Sequence, residues 1–258
     1  MLERTNLIKK IHESKYKLVY VSSGGGTNAV SSFLKVPGAS NTVLESYIPY
    51  SKKSMDIFLN KKPDHYCSLS TCLSMSANAY KKCMQIEQDI NTKYLIGVAV
   101  TASLATTYNK IGEHKFYIAI QTESYTKSIS CILEKGKRTR EEEEELITEY
   151  VLSLIAESCG IKKALPIHDE SIELQETKAR RSWKKLLNNK INFVSSDKST
   201  PELIFPGSFN PLHDGHLKMR ELAEKKTGMR ATFEICAKNA DKPPLTFDEI
   251  KGTLDQFN

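Results

Sequence analysis

The chain has 258 residues, and at about 150 per domain this length predicts one or two domains with cores of their own, which excludes a small disulfide-stapled module. Charged residues make up 26% of the sequence and apolar residues 40%, which excludes a disordered, collagen-like or membrane-embedded chain. The 37 Lys and Arg against 31 Asp and Glu leave a net charge of +6, too mild and too scattered for a dedicated nucleic-acid binder but compatible with small anionic ligands.

No run approaches the ~18 uninterrupted apolar residues of a spanning helix, so no membrane partner is expected. Met1 to Lys15 carries acids and bases where a signal peptide needs an apolar centre, and the expected location is the cytoplasm. The six cysteines are scattered, without a CxxC pair or a histidine at zinc-finger spacing, so they are expected to be reduced and structural, with no metal site.

In chain order, Leu2, Leu7, Ile8 and Ile11 recur at helical spacing, and Lys17 to Ser22 is a β-branched and aromatic run that predicts a strand. Gly24, Gly25 and Gly26 break it, and Thr27 opens a helix carrying Val30, Phe33 and Leu34 before the turn at Pro37-Gly38. Thr42 to Ile48 predicts a strand, Leu69 to Ile86 a helix, Tyr94 to Thr101 a buried strand, and Phe116 to Gln121 with Lys127 to Leu133 a hairpin pair. Helices alternating with nearly all-apolar strands predict an α/β layered domain whose sheet is covered on both faces.

Glu141 to Glu145 stands at the start of a helix continuing through Leu146, Tyr150, Leu154 and Ile155, where acids belong against the positive helix end on a solvated face. Glu173 to Asn189 predicts an exposed polar helix anchored by Trp183, Leu186 and Leu187. A βαβ outline follows: strand Leu203 to Phe205, loop Pro206 to Leu212, helix Gly215 to Lys226, strand Arg230 to Ala237, and then one more helix over Thr246 to Phe257.

The sharpest motif is Phe205-Pro-Gly-Ser-Phe-Asn-Pro-Leu-His-Asp-Gly-His216, a strand end, a compact loop and a helix start bearing His213 and His216. Its chemistry is phosphate binding: Gly207 permits close backbone approach, the helix-opening N–H groups attract an anion, and two imidazoles can donate to phosphate oxygens. This motif resembles the HxGH nucleotidyltransferases, and its form looks most like the nicotinamide or nicotinate mononucleotide adenylyltransferases. The resemblance implies that Gly207, Ser208, Phe209 and Asn210 line the nucleotide and that His213 and His216 act in catalysis on its phosphates. The implied partners are ATP, with Mg²⁺ as its cofactor, and a pyridine mononucleotide. The family closes its site with a later Ser/Thr-rich turn and an Arg at another helix start, and only about 55 residues follow Leu203, so the resemblance covers the front half of such a domain.

A second set of segments is Val21-Ser-Ser-Gly-Gly-Gly-Thr-Asn-Ala29, Val36-Pro-Gly-Ala-Ser40 and Tyr47-Ile-Pro-Tyr-Ser51. These resemble the C-terminal domain of the competence protein CinA, related to nicotinamide-nucleotide amidases. By that resemblance Ser23 falls at the nucleophile position and Tyr50 at the family's Tyr, while Met55 stands where the family has a Lys. The loop Gly24, Gly25 and Gly26 keeps a phosphate-cradling pattern of its own, with a tight structural turn as the bland alternative.

The resulting expectation is an α/β chain with a layered CinA C-terminal-like domain over 1–165, a polar helical linker over 166–200 and a partial Rossmann-like βαβ nucleotidyltransferase unit over 201–258. Both resemblances imply pyridine nucleotides. Adenylyl transfer from ATP to nicotinamide mononucleotide is the leading activity; the alternatives are amide hydrolysis at Ser23 and a non-catalytic nucleotide-binding module. A homo-oligomer is compatible with the sequence, which leaves the oligomeric state open.

Overall fold

The computed structural model describes residues 2–108, 110–195, 200–238 and 242–257. The elements in chain order are α1 (Leu2–His12), β1 (Lys17–Ser23), α2 (Thr27–Lys35), β2 (Val43–Tyr47), α3 (Lys52–Leu59), α4 (Leu69–Ile86), β3 (Leu95–Ser103), β4 (His114–Gln121), β5 (Tyr125–Leu133) and α5 (Arg140–Ser158). They continue with β6 (Ile172–Lys178), α6 (Arg181–Leu187), β7 (Leu203–Gly207), α7 (Asp214–Thr227), β8 (Ala231–Ile235) and α8 (Phe247–Asp255).

The main body is an α/β layered sheet of six strands in the order β2-β1-β3-β4-β5-β6. β1 runs parallel to β2 and β3, and the β3-β4, β4-β5 and β5-β6 pairs are antiparallel. Alternation along β1 sets the two cores: Leu18 and Tyr20 pack with Ile8, Phe33, Tyr150 and Ile155 under α1, α2 and α5, while Val19 and Val21 pack with Met55, Leu59, Cys72 and Met75 under α3 and α4. Because both faces are covered, β1 and β3 read as continuous apolar runs.

Between 173 and 189 the structure departs from the expected polar helix. Ile172–Lys178 is a strand, β6, which adds to the edge of β5, and only Arg181–Leu187 is helical. The open edge of β5 supplies backbone partners for the whole segment, and Lys127 pairs across the strands with Glu176 at 2.8 Å. Part of the stretch expected as a helical linker is therefore a strand of the main sheet.

The C-terminal segment forms the βαβ unit that its pattern predicts, with β7 and β8 paired in parallel. Phe205, Phe209, Phe233 and Phe257 pack together beside the pair. α8 runs back over the main sheet: the Phe247 N–H donates to Thr126 Oγ1 at 2.9 Å, and Thr177 Oγ1 donates to Asp248 at 2.8 Å. A small apolar core of Trp183, Leu187, Ala237, Phe247 and Ile250 seals this junction.

Candidate functional site

Two strand-to-helix corners carry the residues singled out in the sequence. At the first, β7 ends at Gly207 and the loop reaches α7, with His213 capping the helix and His216 one turn in. The two imidazole rings stack with centroids 3.8 Å apart and 23° between planes. His216 Nδ1 accepts the backbone N–H of His213 at 3.3 Å, so the proton of the neutral ring sits on Nε2, at the far side of the imidazole. Ser208, Asn210 and His213 are exposed, and His216 is half-buried.

Gly207 and Phe209 serve this loop from behind. A Cβ on Gly207 would lie 2.6 Å from the Phe209 ring, so the missing side chain makes room for that ring. Phe209 adopts φ 45° with its side chain 2% exposed, and its ring meets His216 edge-on at 5.1 Å. It acts as a buttress for His216. Gln256, just past α8, accepts the Leu212 N–H at 2.7 Å and donates to the Phe209 carbonyl at 3.0 Å, fixing the loop against α8. Gln256 was invisible to sequence reasoning, since a lone glutamine more than forty positions away carries no pattern.

The second corner is the topological switch point of the main sheet, where β1 has parallel neighbours on both sides and its chain end meets that of β3 at Ser23 and Thr101. Ser23 Oγ donates to the Pro49 carbonyl at 3.1 Å, and no basic side chain is hydrogen-bonded to it among the described residues. Met55, at the position of the expected lysine, is 1% exposed in the α3/α4 core, while Tyr50 is 69% exposed. Thr101 Oγ1 donates to the Tyr66 carbonyl at 3.0 Å.

The donors of the glycine loop already have an anion of the chain's own. Glu144 accepts the N–H of Gly26 at 2.7 Å, the N–H of Asn28 at 3.0 Å and the Thr27 hydroxyl at 3.0 Å, so its carboxylate sits where a phosphate would sit at the start of α2. Gly24 has φ 79°, and a Cβ there would lie 2.0 Å from the Ala102 carbonyl oxygen; close packing against β3 by itself requires glycine. Next along α5, Glu143 is fully buried, accepting the Ala105 N–H at 2.6 Å and meeting His114 Nδ1 at 2.7 Å. Arg140 donates to the carbonyls of Gly24 and Ala105, both at 3.1 Å. Lys110 donates to Ser103 Oγ and to the Leu104 carbonyl, and burial pulls its ammonium below the ordinary value.

The solvated face expected for the glutamate run is thus corrected at two of its five members: Glu143 and Glu144 clamp two loops. A run of identical residues hides which members turn inward, and only the 3.6-residue period measured against the core could single them out.

The remaining histidines have separate roles. His12 bonds Thr42 Oγ1 and the Phe33 carbonyl, and His168 lies between Tyr150 and Glu170. No group of three or more His, Cys, Asp or Glu side chains placed to hold a metal occurs among the described residues, and no described helix is long and apolar enough to cross a membrane.

The structure defines an α/β protein with a switch-point corner and a βαβ unit whose helix opens on a histidine pair. A scan against protein-family models finds no match, and a search of curated proteins finds none either. Among solved structures, the chain is similar to the competence/damage-inducible protein CihA from Agrobacterium tumefaciens, at 13% identity over 60% of this chain and 95% of that one, with a TM-score of 0.48. A competence or damage-inducible protein from Enterobacter asburiae matches at 13% identity over 60% and 98%, with a TM-score of 0.49. A CinA superfamily protein from Escherichia coli matches at 10% identity over 58% and 84%, with a TM-score of 0.44. Likeness at this level says nothing about chemistry.

Proposed function

We propose that this chain is a nucleotidyltransferase-like protein of pyridine-nucleotide metabolism, transferring the adenylyl group of ATP to nicotinamide mononucleotide at the 207–216 loop. The observation that carries the reading is the pair of stacked imidazoles at the start of α7, with the His216 proton on Nε2 and the loop fixed by Phe209 and Gln256. Two N–H donors beside the positive end of a helix suit an anion whose charge grows during reaction. In the transfer, a phosphate oxygen of the mononucleotide bonds to the α-phosphorus of ATP while the bond from that phosphorus to the bridging oxygen breaks. The electron pair leaves with pyrophosphate, and His213 and His216 donate to the phosphate oxygens as charge builds on them. Mg²⁺ would enter with ATP and would supply positive charge to its phosphates. The pyridine acceptor rests on the two resemblances, which converge on one ligand class.

The test is an incubation with nicotinamide mononucleotide, ATP and Mg²⁺, followed by mass spectrometry. The expected products are NAD and pyrophosphate, and His216→Ala should lower the rate by about 10²-fold or more. Absence of NAD above a no-protein control refutes the reading, and accumulation of nicotinate mononucleotide would move the chemistry to Ser23.

A further inference from the structure

Between α4, the end of α6 and the segment entering α8 lies a cleft of about 220 Å³ that neither candidate corner uses. Its walls come from separate parts of the chain: Tyr80 and Met84 from α4, Leu187 from α6 and Leu245 from the approach to α8. Tyr80 offers only its ring, because its hydroxyl donates to the Thr92 carbonyl at 3.3 Å. Two ammonium groups, Lys81 and Lys238, belong to the lining, and among the described residues no Asp or Glu does. Neither ammonium forms an ion pair among the described residues, and Lys238 donates to the Asn189 side-chain oxygen.

Apolar walls favour an apolar body, and two cations without a carboxylate favour one acidic group on that body and disfavour a neutral or cationic ligand. The volume is below that of a drug-sized site, which sets the ligand at about one fused ring pair. We propose that this cleft is a binding site for a small aromatic carboxylate, seated against Met84 and Leu245 with its acid between Lys81 and Lys238. The site is independent of the adenylyl-transfer reading. It also touches the packing that holds α8, since Leu187 belongs to the junction core with Trp183 and Phe247.

Trp183 is the chain's single tryptophan and is 5% exposed in that core, so its fluorescence reports on the junction. The experiment titrates the full chain with 2-naphthoate, read by calorimetry and by Trp183 emission, beside the neutral analogue 2-naphthamide. One saturable site is expected, with 2-naphthamide at least about tenfold weaker, and with Lys81→Gln plus Lys238→Gln weakening 2-naphthoate by about tenfold. Met84→Trp and Leu245→Trp fill the cleft from opposite walls, and each should abolish binding; circular dichroism melts identify the variant that keeps the fold. Absence of saturable binding, equal affinity for acid and amide, or undiminished binding in a folded filled variant would each overturn the proposal.

Discussion

Replacing Glu144 tests whether the glycine loop is held by the chain's own carboxylate. In Glu144→Ala the buried Gly26 N–H loses its acceptor at 2.7 Å, which costs about 1–3 kcal/mol when water cannot take its place. Asn28 and Thr27 are exposed and rehydrate, so their two bonds add only a fraction of that, while the lost charge at the start of α2 adds about 0.5 kcal/mol. The sum is about 2–4 kcal/mol, which at a urea slope of about 2.5 kcal/mol per molar lowers the unfolding midpoint by about 1–1.5 M. Glu144→Gln keeps the shape and one acceptor oxygen and should lose about half as much. Inorganic phosphate exchanged for chloride should restore part of the midpoint in Glu144→Ala and none in the parent, because the vacated donors form an anion cradle. Circular dichroism against urea reads all three. A Glu144→Ala midpoint within about 0.2 M of the parent would show that the carboxylate is a bystander.

Two further outcomes follow from side chains outside the sites. The Arg138 guanidinium holds the Glu170 carboxyl well below the usual carboxylate range, so its contribution is fully present above the unfolded value of about 4.3 and is lost as the pH falls toward the folded value. Glu170→Gln should therefore cost about 2 kcal/mol near neutrality, shrinking below pH ~4 in urea titrations; a pH-independent cost would contradict the ion pair. Burial pushes the Cys72 thiol up and the Cys83 and Cys159 thiols up to about 12, whereas Cys236 is exposed. A disulfide reagent at mildly alkaline pH should label Cys236 first, with that fast phase absent in Cys236→Ser, and fast labelling of Cys72 or Cys83 in the folded chain would refute the burial argument.

Much of the architecture was legible because it rests on local patterns. The continuous apolar run of β1 and the glycine break after it set a buried strand and a turn, and the period of Leu69–Ile86 set α4. The histidine-bearing loop was legible for the same reason: Gly207, His213 and His216 are close in sequence, and the turn chemistry that places them is local. β6 was not legible, because its segment has no strong period and takes its conformation from the open edge of β5.

The sequence by itself determined the layered α/β class, the βαβ unit and the two strand-to-helix corners, all products of short-range periodicity and turn residues. Only the tertiary structure decided what those corners contain. Glu144 reaches the glycine loop from more than a hundred residues away, Gln256 reaches the histidine loop from just past α8, and Phe209 turns inward to support His216. Such contacts depend on how helices pack across a sheet. An unsatisfied donor recruits whichever side chain that packing brings within hydrogen-bond reach, and no local pattern records which one it will be.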